Sequence, residues 1–181
     1  MAAWQPLLMD VMRKRSHALI AYAGLFTGNT GEAEDVVQEA LIRTFSRGRR
    51  FENAAAAESY VRRAIPSVFI DRGRSTTSAW RAHTRAVDRA PHEVDIDAQV
   101  DVRRALVKLP PRERSCMILR FFDDLTIPQI AARLGLSDGA VKRYLSDASK
   151  RIAVELAVDT DWETAPTSAL VVDTIAHRIR D

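Results

Sequence analysis

Lys142, Arg143, Ser146 and Lys150 follow one another at helical spacing, so that a helix would carry their hydrogen-bond donors along one side. Donors in that arrangement suit phosphate oxygens and base edges. With residues placed about 100° apart around a helix, Gly139, Arg143, Ser146, Asp147 and Lys150 share one sector, with Lys142 on its shoulder. Val141, Leu145, Ala148 and Ile152 fill the opposite sector and predict a core face. Upstream, Thr126 and Gln129 have the spacing of a capping box, ahead of Ile127, Ile130, Ala131 and Leu134 at helical period. Gly135 and Leu136 make a turn and Ser137 caps the basic helix. A solvated amphipathic hairpin would also carry a charged outer face. Two caps, a tight Gly turn and two short helices together match the helix-turn-helix, whose second helix enters the major groove of duplex DNA.

A second basic region precedes it. Between positions 42 and 74, Arg43, Arg47, Arg49, Arg50, Arg62, Arg63, Arg72 and Arg74 face only Glu52, Glu58 and Asp71. The net charge of +3 is too small to signal a nucleic-acid partner, so the distribution decides. Residues 1–90 carry 14 basic against 9 acidic side chains, and residues 158–181 carry 2 against 5. The 23 arginines against 4 lysines also suit a GC-rich coding sequence, which weakens that bias as a sign of phosphate recognition.

Composition excludes several classes. One cysteine and four scattered histidines give neither an internal disulfide nor a metal-ligand cluster, and no cofactor is expected. Cys116 lies in the apolar run Cys116–Leu119 and reads as a core thiol. No nucleophile, base and orienting group can be assembled, so an enzyme is not expected. No apolar run approaches the roughly 18 residues of a membrane span, and Met1–Asp10 lacks the pattern of a secretory signal. No membrane insertion and a cytoplasmic location are expected.

The elements that position these residues read as all-α, in two small helical domains joined by a flexible linker. Helical period runs from Leu7 to about Phe26, breaks at residues 27–31 and resumes over Glu32–Arg47. The latter helix sends Val36, Val37, Ala40, Leu41 and Thr44 inward and leaves Asp35, Gln38, Glu39 and Arg43 outside. An Arg- and Ala-rich loop spans Arg47–Ala57, then a helix runs from about Glu58 to Arg72, where Pro66 should kink it or mark a new start. Residues 1–73 form the first domain and 74–98 a linker without an apolar face. Residues 99–157 form a four-helix second domain, from Val102, Ala105, Leu106 and Leu109 through the helix-turn-helix. The 158–181 tail has an acidic start and an apolar stripe, Val172, Ile175 and Ile179; it is either a frayed helix on its own domain or a docking segment.

Leu109-Pro110-Pro111-Arg112-Glu113-Arg114, Leu119-Arg120-Phe121-Phe122, Leu125-Thr126, Ile130-Ala131, Leu134-Gly135-Leu136-Ser137 and Gly139-Ala140-Val141-Lys142 closely resemble the fourth conserved region of bacterial sigma factors. The run Ala33-Glu34-Asp35-Val36-Val37-Gln38-Glu39-Ala40-Leu41-Ile42-Arg43-Thr44-Phe45 resembles the second. Two such regions joined by a bare linker look like an extracytoplasmic-function sigma factor. The resemblance implies a non-enzymatic subunit that binds core RNA polymerase, recognises promoter double-stranded DNA and helps melt it, exposing the non-template strand. It also implies an anti-sigma factor as partner. By position, Asp35, Gln38, Glu39 and Arg43 would meet the polymerase clamp. Arg49, Arg50, Phe51, Asn53, Arg62, Arg63, Ser67, Arg72 and Arg74 would meet the minus-ten element, with Phe51 and Asn53 at a flipped base, though Phe51 fits a core anchor equally. Ser137, Gly139, Lys142, Arg143, Ser146 and Lys150 would meet the minus-thirty-five element. Tyr60, Pro66, Ser67 and Asp147 depart from the common pattern, and Asp147 is expected to pair with Arg143 four residues earlier.

Two other classes fit part of the chain. A stand-alone helix-turn-helix regulator explains residues 109–152 but not the helical front half. A sigma-like module that only sequesters polymerase or an anti-sigma factor explains both halves, and promoter-dependent transcription separates it from a working sigma factor.

Overall fold

A computed structural model describes residues 5–46, 51–75 and 98–155. The chain divides into two units, Met1–Arg74 and Ser75–Asp181. Among the described residues the secondary structure is helical throughout: α1 (Gln5–Thr27), α2 (Thr30–Phe45) and α3 (Ala54–Ser75) in the first unit. The second holds α4 (Ala98–Lys108), α5 (Pro111–Phe121), α6 (Ile127–Leu134) and α7 (Asp138–Glu155). Residues 76–97, most of the expected linker, and 156–181, which include the whole expected tail, lie outside the described residues.

In the first unit, α1 and α2 meet at a tight turn. Gly28 adopts φ 79°, and Asn29 caps α2 by accepting from the Glu32 N–H at 2.8 Å. The Asn29 amide donates back to Glu32 at 3.2 Å, a reciprocal pair that starts α2 at Thr30 rather than the expected Glu32. All five residues expected to point inward from α2 are buried. Leu19, Tyr22 and Phe26 of α1 and Val61, Ile65, Val68 and Phe69 of α3 are buried as well. Phe26 bridges the layers, its ring 5.2 Å from Tyr22 and 5.9 Å from Phe69.

Two expectations for α3 need correction. It begins at Ala54 rather than near Glu58, because Asn53 Oδ1 accepts the Ala56 N–H at 2.9 Å and the Ala54–Ala57 run favours helix. It also continues through Pro66 as one helix, so the proline marks no new start. An interior proline costs about 3 kcal/mol, whereas burying each of Ile65, Val68 and Phe69 contributes roughly 1.5–3 kcal/mol. Tertiary packing therefore carries the helix past a local break.

The second unit is built around α5, from which Glu113 to Leu119 are all buried. Leu106, Leu109, Met117, Phe121, Ala148 and Ile152 form one cluster, joining α4, α5 and α7. Cys116, Leu119, Ile130, Ala131 and Val141 form another, joining α5, α6 and α7. Burial pushes the Cys116 thiol up to about 12, so it stays protonated and packs as a small apolar side chain. Arg114, also buried, donates to the Val107 carbonyl and, at 3.1 Å, to that of Leu109. It thereby satisfies the carbonyl end of α4 across the Pro110–Pro111 corner.

Candidate nucleic-acid interface

The α6–α7 turn aims α7. The Thr126 N–H donates to Gln129 Oε1 at 2.8 Å at the start of α6. At its end Gly135 takes a left-handed conformation, φ 63° and ψ 44°, and the Leu136 N–H returns to the Ala131 carbonyl at 2.9 Å. Ser137 then accepts the Ala140 N–H at 3.2 Å and starts α7. Val141, Ala148 and Ile152 lock the inner side of α7 into the core, while Ser137, Gly139, Lys142, Arg143, Ser146 and Lys150 are all exposed.

The expected Arg143–Asp147 pair does not form. The Arg143 guanidinium lies 5.2 Å from the Tyr144 ring, and the half-buried Asp147 acts on Glu113 of α5 instead. Arg112 donates to the Tyr144 hydroxyl at 3.0 Å, and this bond, more than the nearby Arg143, lowers the pKa of that phenol. Tyr144 thus sits between two guanidiniums beside the exposed face. Arg112 and Tyr144 were missed in the sequence because they stand 32 positions apart. Glu113 is buried, with Arg151 Nε 3.1 Å from its Oε2. Burial is the largest influence on it and raises its pKa, with Asp147 adding to the shift and Arg151 opposing it.

In the first unit, Asp35, Gln38 and Arg43 are exposed and Glu39 half-buried, along one side of α2. Ile42 lies among them at 59% exposure, an apolar side chain within a charged set. Phe51 is half-buried, 5.5 Å from Phe45 and 5.3 Å from Tyr60, so it is anchored by rings on both sides. Tyr60 is 40% exposed, with Arg63 5.9 Å from its ring. Asn53 is occupied as the α3 cap. The Arg62 guanidinium packs 4.0 Å from the Tyr22 ring, inside the unit, and Ser67 is half-buried. Arg72 reaches back to Asp35 at 3.0 Å and Glu39 at 3.4 Å. Arg49 and Arg50 lie outside the described residues, as does the side chain of Arg74.

The sigma-70 region 2 family model matches residues 4–82, and the sigma-70 region 4 model matches residues 99–152. The chain belongs to the sigma-70 family of RNA polymerase sigma factors. It is similar to the RNA polymerase sigma-E factor of Streptomyces avermitilis, with 32% identity over 81% of this chain and 83% of that one. The ECF RNA polymerase sigma factor SigM of Mycobacterium tuberculosis is 26% identical over 80% of this chain and 74% of its own. This sigma factor thus has relatives of the extracytoplasmic-function type. Among solved structures, the sigma factor RpoE of Bartonella quintana, crystallised with the anti-sigma factor NepR, matches with a TM-score of 0.53. It is 21% identical, and the match covers 88% of this chain and all of that one, a likeness of fold. Among the described residues, no helix of this sigma factor is long and apolar enough to cross a membrane.

Proposed function

We propose that this sigma factor binds core RNA polymerase through the outer side of α2 and reads promoter DNA with α3 and α7. Its role is to place the polymerase and help open the duplex without catalysing a step itself. The observation that carries the α7 part is the contiguous exposed row of Ser137, Gly139, Lys142, Arg143, Ser146 and Lys150 on a helix whose opposite side buries Val141, Ala148 and Ile152. Such a helix presents donors to the major groove without any repacking. Arg112, on α5 beside Tyr144, adds a cation at the margin of that surface.

On α2, an apolar Ile42 ringed by Asp35, Gln38, Glu39 and Arg43 has the composition of a protein interface, apolar at its centre and charged at its rim. This is the polymerase-binding surface, and an anti-sigma factor would act by covering it. The minus-ten end is assigned to Arg49, Arg50, Phe51, Tyr60, Arg63 and Arg74. Phe51 and Tyr60 offer ring surface to an unstacked base of the non-template strand, a contact worth about 1–3 kcal/mol. Asn53 serves this site by starting α3 beneath it. Residues 1–73 would then be the polymerase and minus-ten domain, 74–98 a linker, and 99–157 the minus-thirty-five domain, all in the cytoplasm.

The test is transcription from genomic DNA by sigma-free core polymerase supplied with the purified protein, with start sites sequenced. Discrete starts sharing upstream elements, weakened by Arg143→Ala and by Asp35→Ala, are expected. Polymerase binding without discrete starts would reject promoter recognition and leave a sequestering module.

A further inference from the structure

Five charged side chains join α2 to the end of α3 in one alternating chain: Asp71, Arg43, Glu39, Arg72, Asp35. Arg43 Nη1 stands 2.8 Å from Asp71 Oδ2, and its Nη2 holds Glu39 Oε1. The other oxygen of Glu39 faces Arg72 Nη1 at 3.4 Å, and Arg72 Nη2 reaches Asp35 Oδ2 at 3.0 Å. Each arginine thus straddles two carboxylates, and Glu39 is shared between both. Asp71, ahead of Glu39, raises the pKa of Arg43, as expected of a cation inside such a chain.

We infer that Arg72 is a positioning residue for polymerase binding: it acts through Asp35 and Glu39, holding both carboxylates in fixed directions on the outer side of α2, rather than as a contact to promoter DNA. The inference rests on the proposal that α2 meets the polymerase.

Three observations support it. Arg72 approaches α2 from 37 residues away in sequence, so the link is made by the fold and not by helix neighbours. Its two amino groups are directed to two different side chains, a use of the planar fork that a lysine ammonium cannot copy. Asp35 is more than half exposed, and Arg72 is the charged partner found for it among the described residues. Without Arg72 its side chain would sample several rotamers, and ordering it again on binding would be unfavourable. An isolated exposed ion pair contributes little to stability. Linked contacts such as these can add to it, so preorganisation is read in affinity for the polymerase and the melting temperature serves as a separate control.

The experiment measures binding of the full-length protein to core RNA polymerase without DNA. Arg72→Ala and Arg72→Lys are compared in the unaltered chain and in an Asp35→Asn, Glu39→Gln background, with far-UV circular dichroism to verify folding. Arg72→Ala is expected to weaken binding about tenfold, the effect of freeing two side chains that binding must order again. Arg72→Lys should fall between, and in the double-substituted background Arg72→Ala should change affinity less than twofold. If the double substitution weakens binding but Arg72→Ala alone leaves it within twofold, or tightens it, the positioning role is overturned while the polymerase-facing reading stands. If the double substitution itself has no effect, the polymerase-facing reading fails and this inference fails with it. Equal losses from Arg72→Ala in both backgrounds would show that it acts independently of the two carboxylates and would also overturn the inference.

Discussion

Gly135 offers a test in which backbone conformation is separated from packing. It closes α6 at φ 63°, and an added Cβ would meet nothing within 4 Å. Gly135→Ala therefore introduces no collision, and its effect comes from the left-handed conformation alone. An L-residue there costs roughly 1–2 kcal/mol. Reduced freedom of the unfolded chain offsets about 0.4–1 kcal/mol of that, leaving a net loss near 1 kcal/mol. Asn, which enters the left-handed region more readily, should lose less than half as much. The Ile130 and Val141 amides, bonded to the Thr126 and Ser137 carbonyls, report on α6 and α7 separately from the first unit. Hydrogen exchange at these amides in the full chain should quicken about fivefold for Ala, the equivalent of 1 kcal/mol, and less than twofold for Asn. Minus-thirty-five affinity of the assembled polymerase, measured well below unfolding, should stay within about twofold for both, since the folded turn is unchanged. A loss above about 3 kcal/mol for Ala, or an Asn variant as damaged as Ala, would refute the reasoning.

Three further outcomes are expected. Burial holds the pKa of Glu113 above its ordinary value, so its contribution to stability is full below about pH 4.5 and is lost as pH rises through the raised value. Glu113→Gln should therefore gain stability relative to the unaltered protein between pH 4 and pH 7 in urea unfolding followed through the second unit; a relative decrease would mean that Arg151 outweighs burial. Tyr144→Phe keeps a ring beside Arg143, whereas Tyr144→Ala removes it, so Ala should weaken minus-thirty-five binding by roughly 0.5–1 kcal/mol more than Phe in a holoenzyme titration. Equal effects would assign the role to the Arg112 hydrogen bond instead. Because Ile42 is largely exposed, Ile42→Asp should leave the thermal midpoint unchanged while lowering core polymerase affinity at least about tenfold; unchanged affinity would remove α2 from the interface.

Features under the control of short-range physics were legible in the sequence. The core side of α2, the Ser137 cap and the turn at Gly135 all depend on neighbours within a few residues, where helical period and capping chemistry decide the outcome. So does the exposed row on α7, which is simply the side opposite Val141, Ala148 and Ile152. Tertiary structure decided the rest. Pro66 lies within a continuous helix because Ile65, Val68 and Phe69 are buried in the core of the unit, Phe69 beside Phe26 of α1, which a local rule for proline cannot weigh. Arg72, which the resemblance would place at the DNA, reaches Asp35 and Glu39, while Arg143, expected to pair with Asp147, lies beside Tyr144. Long arginine side chains reach whatever carboxylate, carbonyl or ring the fold brings within a few ångströms, and only packing between helices distant in sequence sets which of these is present.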